Sequence, residues 1–135
     1  MPQTPANFSI ITQGSARYPG RAPIDAYGNG GFRFADMSHR GSILCLPSGI
    51  YAWPVTNAEQ LDAAAFAPVF AEREKLGLVI LGTGRRQVLP GPELRRAFVD
   101  VNIALEAMDT GAAARTYNVL LAEGRPLGAA LIAVD

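Results

Sequence analysis

The chain has 135 residues and a mass of 14.3 kDa, which is the length of a single domain. Its composition, 49% hydrophobic and 18% charged, excludes an intrinsically disordered or coiled-coil protein and indicates a compact fold. Twelve Lys and Arg residues balance twelve Asp and Glu residues. Proteins that bind nucleic acid or membrane surfaces through charge carry a basic excess, so this balance argues against both classes.

Histidine and cysteine each occur once, as His39 and Cys45. These counts exclude an intrachain disulfide, a cysteine-based zinc site and a multi-histidine metal site. We predict neither a metal nor a cofactor. Cys45 lies in the apolar run 43–46, which predicts a buried, unreactive thiol. His39 lies in the polar stretch 37–41, which we interpret as an exposed turn.

The first half of the sequence is predicted to be rich in β-structure. Residues 1–7 contain two prolines and are expected to form a flexible terminus. A β-hairpin is predicted over residues 24–34, because Gly-Asn-Gly-Gly at 28–31 tolerates positive φ angles. Further strands are predicted at residues 8–12, 42–46 and 50–55.

The second half alternates helices and strands. Residues 57–75 carry apolar residues at helical spacing, with Asn57 or Asp62 as the N-cap and Pro68 expected to break or kink the segment. The other predicted elements are strands at 78–81, 103–108 and 127–134, one helix from Pro92 and one from Asp109 to Gly124. This alternation predicts a single α/β domain over residues 8–135 with an N-terminal β extension. Strands 78–81 and 103–108 are expected to be parallel neighbours.

The turns that follow these two strands form the candidate site. They emerge at one sheet edge, beyond the carboxyl ends of the strands, where open α/β sheets bind ligands. Glycine lets backbone N–H groups approach a ligand, and arginine adds charge, so the turns suit a small anion such as phosphate or carboxylate. The predicted ligand-binding residues are Gly82, Thr83, Gly84, Arg85, Arg86, Asp109, Thr110, Gly111, Arg115, Thr116 and Asn118. A purely structural role explains the same residues, because tight turns need glycine and Thr and Asp cap helices.

No complete set of catalytic residues is evident, which favours a non-enzyme and leaves the question of an activity open. The first turn lacks the Gly-Lys-Ser/Thr ending of a phosphate-binding P-loop. Asp109-Thr110-Gly111 matches the aspartic protease tripeptide, but those enzymes need a second carboxylate that only a dimer would supply. Tyr51 and Trp53 are predicted to lie on one face of the sheet. We predict them as protein-interface residues, since Tyr and Trp are enriched at protein interfaces. Core packing is the alternative.

Four segments resemble a known family, in order and with similar spacing. They are IDAYGNGGF at residues 24–32, SILCLPSG at 42–49, LGTGRR at 81–86, and MDTGA followed by RTYN at 108–118. Through them the chain resembles the small bacterial and archaeal proteins related to mitochondrial NADH:ubiquinone oxidoreductase (complex I) assembly factor 3. The resemblance implies a three-layer α/β fold with a central mixed sheet, helices on one side and extra β-structure on the other. It brings no established catalytic residues, and Ala114 stands where many relatives have Cys.

The resemblance also implies a function. It points to a non-catalytic protein-interaction or assembly factor for a respiratory complex or another membrane protein, with a component of such a complex as the partner. The alternative is a protein or enzyme that binds a small anion or nucleotide at the two Gly/Arg turns. In a third interpretation both turns are structural, and Arg115 then pairs with Asp109 or Asp25.

Location and assembly follow from the same sequence. No apolar run approaches the roughly 20 residues that span a bilayer, so we expect no transmembrane segment. We expect a cytoplasmic protein, peripheral to the inner membrane if it acts as an assembly factor, with no nucleic-acid partner. Apolar strand edges in the N-terminal half are compatible with a homodimer.

Overall fold

The computed structural model describes residues 18–135, so the terminus predicted at 1–7 and the strand predicted at 8–12 lie outside the described residues. The strands are β1 (Tyr18–Pro19), β2 (Ala26–Gly28), β3 (Gly31–Phe34), β4 (Met37–Arg40), β5 (Ser42–Leu46), β6 (Gly49–Trp53), β7 (Leu78–Gly82), β8 (Ala104–Met108) and β9 (Leu127–Leu131). The helices are α1 (Ala67–Ala71), α2 (Pro92–Asp100) and α3 (Thr110–Ala122), with short 3₁₀ turns at Ala58–Gln60, Ala63–Phe66 and Arg73–Lys75. Within this part of the chain, every helix is too short or too polar to cross a membrane.

The strands form a six-stranded and a three-stranded sheet. The larger sheet has the order β1-β6-β5-β9-β7-β8, and the smaller has the order β2-β3-β4. β7 pairs in parallel with β8 on one side and with β9 on the other, which confirms the predicted parallel neighbours. β5 pairs antiparallel with both β6 and β9, so the central sheet is mixed.

The apolar run of β7 is explained by its position. Val79, Ile80 and Leu81 are each exposed by no more than 1%, because both faces of the strand are covered. β9 is buried along its whole length, whereas β8 ends the sheet and is only partly buried. The strands predicted at 42–46, 50–55, 78–81, 103–108 and 127–134 are all present, and the largest boundary difference among them is the earlier end of β9 at Leu131. β1 and β4 were not predicted as strands.

Helices cover both faces of the central sheet. One face packs against α3 and the three-stranded sheet through residues such as Phe34 and Tyr117. The other face packs against α1, α2 and the turn before α1 through residues such as Phe66 and Phe98. The α/β class, the mixed sheet and the β extension are confirmed, and the structure corrects one detail, the expectation of helices on one side only. α2 leads from β7 to β8, and α3 leads back from β8 to β9, so crossovers of the same hand place the two helices on opposite faces.

The three-stranded sheet contains the predicted hairpin and one further strand. The turn between β2 and β3 has Asn29 at φ 52° and Gly30 at φ 79°, as the Gly/Asn signal predicts. The expected exposed turn around His39 is wrong, because His39 lies in β4 and is only 7% exposed. The chain instead turns at Ala35 and Asp36, whose positive φ angles of 49° and 61° are not signalled by glycine or asparagine.

The predicted helical segment 57–75 is broken into short turns. Asn57 and Asp62 both act as N-caps, the first in a capping box with Gln60 and the second accepting from the backbone N–H of Ala65. Pro68 lies in the first turn of α1, where its missing N–H costs nothing, and α1 ends after five residues. Two competing caps close together therefore divide the segment instead of starting one long helix.

Cys45 lies in the core beneath α3. Its side chain is 0% exposed, and the hydroxyl of Tyr117 forms a hydrogen bond with its sulfur. Burial raises the pKa of the Cys45 thiol to about 12 and also raises the pKa of Tyr117, because the charged forms are not hydrated there. Since the thiolate is the reactive form, the predicted buried, unreactive thiol is confirmed.

We expect the free energy of unfolding to fall as the pH rises from about 9 to about 12. The thiol of the unfolded chain ionises with the ordinary pKa of 9.0, whereas the folded chain keeps Cys45 protonated up to about 12. Ionisation therefore favours the unfolded chain, with a slope from Cys45 of at most about 1.4 kcal/mol per pH unit. Urea unfolding at successive pH values measures this slope.

Cys45→Ala is the control for this experiment. The substitution leaves a cavity, which lowers stability at every pH and does not alter the comparison of slopes. We expect a shallower slope in the variant over the same pH range. Equal slopes in the two proteins would contradict the assignment to Cys45.

Candidate functional site

The two predicted turns meet at the carboxyl ends of β7 and β8. The backbone N–H of Thr83 donates to the carbonyl of Met108 at 2.9 Å, and the N–H of Thr110 donates to the carbonyl of Gly84 at 2.8 Å. The N–H of Gly84 donates in turn to the Thr110 hydroxyl at 3.0 Å. The predicted shared edge therefore exists, and its polar groups bond to each other.

Thr83 shapes the loop that follows β7. Its hydroxyl reaches the carbonyl oxygens of Arg86 at 2.5 Å and Met108 at 3.2 Å, and it accepts from the N–H of Val88 at 2.9 Å. The side-chain amide of Gln87 donates to the carbonyl of Ala107 in β8 at 2.9 Å. Because Thr83 is 4% exposed, its own bonds are partly shielded from water, and together with the exposed Gln87 bond they fix the loop against the sheet edge.

Thr110 joins three strand ends. Its side chain is 0% exposed, and its hydroxyl donates to the carbonyl of Ile132, after β9, at 2.7 Å while accepting from Gly84. Gly82 lies opposite it, where a Cβ would come to 3.0 Å from the Thr110 Cα, closer than a side chain ordinarily packs, so glycine is favoured at this position. Asp109 caps α3 by accepting from the N–H of Ala112 at 2.9 Å. The first turn of α3 is thus largely satisfied within the chain.

Gly111 in the same turn admits a neighbour from the β extension. A Cβ at this position would overlap the Tyr27 hydroxyl, so glycine lets the Tyr27 ring lie where the hairpin approaches α3. Later in α3, Thr116 donates to the sulfur of Met108 at 3.4 Å. Asn118 forms two hydrogen bonds of 2.8 Å with the backbone of Ile24, away from the turns. Gly111 and Asn118 hold the β extension onto α3.

The predicted arginines remain exposed. Arg85, Arg86 and Arg115 take part in neither of the ion pairs found within residues 18–135, which are Arg96–Asp100 at 3.2 Å and Arg125–Glu123 at 3.8 Å. The pairing of Arg115 with Asp109 or Asp25 that a purely structural interpretation expects is not present among these residues. In the same part of the chain, no three His, Cys, Asp or Glu side chains come together as metal ligands would.

Tyr51 and Trp53 lie on one face of the sheet, as predicted, and this is the face that α1 and α2 cover. Trp53 is 4% exposed, donates from Nε1 to the carbonyl of Ala65 at 2.8 Å and makes an edge-on contact with Phe66. Tyr51 is half-buried, and its hydroxyl is bonded to Ser48. Intramolecular packing therefore occupies most of the surface of Trp53.

The loop after β7 presents a feature that the sequence analysis did not single out. Val88 is 41% exposed and Leu89 is 69% exposed, and they follow Arg85, Arg86 and Gln87 in the chain. We name this segment, residues 85–89, the rim loop. A cationic pair followed by two apolar residues before Pro90 is the sequence signal that could have identified it.

We expect Thr110→Val to lower the free energy of unfolding by about 1–3 kcal/mol, because it leaves the carbonyl of Ile132 buried without its partner. Urea unfolding at neutral pH measures the change. Thr110→Ser keeps the hydroxyl and should cost much less. Equal losses in the two variants would show that the hydroxyl is not what joins the strand ends.

Curated relatives align with most of the chain. It is 30% identical to mouse NADH dehydrogenase [ubiquinone] 1 alpha subcomplex assembly factor 3, over 87% of this chain and 63% of the mouse protein. The human protein of the same name is 31% identical, over 81% of this chain and 59% of its own length. An uncharacterised protein of Rhodobacter capsulatus is 36% identical, over 85% and 87% of the two chains. The chain thus spans about three fifths of the mitochondrial relatives and most of the bacterial one.

Solved structures share the fold. A protein described as an outer membrane protein from Bartonella henselae is 50% identical, with a TM-score of 0.85 over 88% of this chain and 100% of that one. A protein from Rhodopseudomonas palustris is 40% identical, with a TM-score of 0.79 over 93% of both chains. At these identities the likeness extends to the sequence as well as to the backbone.

A family model matches residues 24–132. The match begins at Ile24, which Asn118 binds, and ends at Ile132, whose carbonyl accepts from Thr110. The description of this family is a protein of unknown function, DUF498/DUF598. Together with the relatives above, this match confirms the resemblance inferred from the sequence motifs. The chain belongs to the DUF498/DUF598 family, whose curated relatives include complex I assembly factor 3.

Proposed function

We propose that this chain is a non-catalytic assembly factor that binds a protein component of a respiratory complex or another membrane protein during its biogenesis. The names of the mitochondrial relatives support an assembly role at the level of the family. The rim loop is the observation in this chain that carries the proposal. Its two arginines form no ion pair within residues 18–135, and its apolar side chains, Val88 and Leu89, are exposed.

The rim loop has the composition of an interface centre. Arginine is enriched at protein interfaces, and exposed Leu89 supplies apolar area that association would bury. The hydrogen bonds of Thr83 hold the loop before a partner arrives, so little conformational entropy is lost on binding. The complementary partner surface carries carboxylates around an apolar depression.

A homodimer is a second part of this proposal. β8 ends the six-stranded sheet and pairs only with β7 among the described strands, which leaves one edge available to another strand. One group of β8 is already bonded within the chain, because the side-chain amide of Gln87 donates to the carbonyl of Ala107. Light scattering of the purified full chain measures the mass directly, and a monomer at all concentrations would contradict the dimer.

A small-anion site at the turns is the alternative function, supported by the guanidinium groups of Arg85, Arg86 and Arg115, which form no ion pair within residues 18–135. Most of the backbone and hydroxyl donors of the turns already bond within the chain. Calorimetry with phosphate, nucleotides and sugar phosphates tests this alternative. Heat that is lost in Arg85→Ala and Arg115→Ala would support it. No heat with any ligand, or heat in both variants that is unchanged from the unmodified chain, would contradict it.

We expect Leu89→Asp and Arg86→Glu to reduce capture of respiratory-complex subunits from native membrane extracts by about tenfold each. The first substitution places a charge in the apolar contact, and the second reverses the attraction to an acidic partner surface. Affinity purification of the tagged chain with quantitative mass spectrometry measures the loss. The protein is expected with the cytoplasmic and inner-membrane fractions.

Arg95→Glu is the matched control, because Arg95 is exposed on α2 and belongs to no ion pair among the described residues. It should leave capture unchanged. If the unmodified chain recovers no respiratory-complex or membrane-insertion component, or if it fractionates with the outer membrane, the proposal is wrong.

A further inference from the structure

The outer side of the three-stranded sheet carries a cavity of about 410 Å³. It is formed by the three strands themselves and the turn between β2 and β3, on the side away from α3. A volume of this size lies within the range of about 300–1,000 Å³ typical of small-molecule sites. The cavity shares no residue with the turns at the ends of β7 and β8, although the hydroxyl of Tyr27, which lines the cavity, approaches Gly111 in the second turn.

Most of the cavity floor is main chain. Side chains alternate between the two faces of each strand, and Phe32, Phe34 and His39 are buried on the inner face. The outer face therefore presents Ala26, Gly28, Gly31, Arg33, Ser38 and Arg40. At Gly31 a Cβ would overlap the carbonyl oxygen of His39, so only glycine fits. Small residues and glycine leave the space between the two arginines open.

The two arginines give this cavity a positive charge. Arg33 lies opposite Ser38 and Arg40 lies opposite Gly31, so the arginines are diagonal neighbours on adjacent strands. The cavity lining contains no Asp or Glu, and neither arginine takes part in an ion pair within residues 18–135. Residues 1–17 contain no Asp or Glu either. Like charges at this spacing repel each other, and a bound anion between them would relieve the repulsion.

The cavity is held in place by bonds to the rest of the fold. Arg33 NH1 donates to the hydroxyl of Ser38 at 3.1 Å, which orients its guanidinium group. The N–H of Gly30 donates to the carbonyl of Val134 at 2.8 Å, and the N–H of Gly41 donates to the carbonyl of Gly30 at 2.7 Å. The hairpin turn is thus tied to the chain after β9 and to the end of β4. A ligand would meet a site that needs little rearrangement.

We propose that this cavity is an oxyanion-binding site for a small organic molecule that carries a phosphate or carboxylate group. The guanidinium groups of Arg33 and Arg40 hold the oxyanion from two sides, since planar forks of N–H donors match these groups. The glycine-rich floor accommodates the remainder of the ligand against the main chain. The site is independent of the rim loop and of the partner that the loop binds.

Amide NMR of the full chain, titrated separately with inorganic phosphate and with citrate, tests the proposal. The amide signals of Gly28, Gly31 and Arg40 should move and saturate with at least one anion. Movement with phosphate alone assigns a phosphate group, and movement with citrate alone assigns a carboxylate. In Arg33→Gln and Arg40→Gln the dissociation constant should rise by about tenfold or more.

Two control variants make this experiment specific. Arg95→Gln removes an exposed arginine on α2, outside every proposed site, so it should not change the dissociation constant. Arg40→Lys keeps the charge without the fork and should give an intermediate value. The proposal is overturned if neither anion moves the cavity signals, or if Arg95→Gln weakens binding as much as Arg40→Gln does.

Discussion

The parallel pairing of β7 with both β8 and β9 organises the molecule. β7 is buried on both faces, and at its carboxyl end the Thr110 hydroxyl bonds to Gly84 on one side and Ile132 on the other. One buried side chain thereby fixes where three strands end. Because the crossovers leave β7 and β8 in opposite directions along the sheet, α2 and α3 cover opposite faces.

α3 transmits this arrangement to the β extension. Gly111 in its first turn admits the Tyr27 hydroxyl, Tyr117 reaches Cys45 in the core, and Asn118 bonds twice to the backbone of Ile24. Tyr117 connects the helix to the central sheet, whereas Gly111 and Asn118 lie about two turns apart on the helix and both contact the β extension, so they orient the three-stranded sheet. Its inner face is buried against the core, and its outer face carries the arginine-lined cavity.

Two exposed surfaces result, and they differ in chemistry. The rim loop sets guanidinium groups beside apolar side chains, which suits a protein surface with acidic and apolar parts. The cavity sets guanidinium groups beside bare main chain, which suits a small oxyanion. Both rely on arginine, whose planar group makes two parallel hydrogen bonds with a carboxylate or phosphate.

The sequence by itself determined the α/β class, most of the strands, the parallel neighbours and the family, because periodicity, turn residues and motifs are local signals. It also determined that Cys45 is buried, since a strand made of consecutive apolar residues is usually covered on both faces. Only the tertiary structure decided that His39 is buried, because the position of the turn before β4 depends on packing. It also decided that residues 57–75 form several short helical turns, because packing determines that Asn57 and Asp62 both act as caps. It also revealed the cavity, whose arginines become neighbours only through the register of β3 and β4.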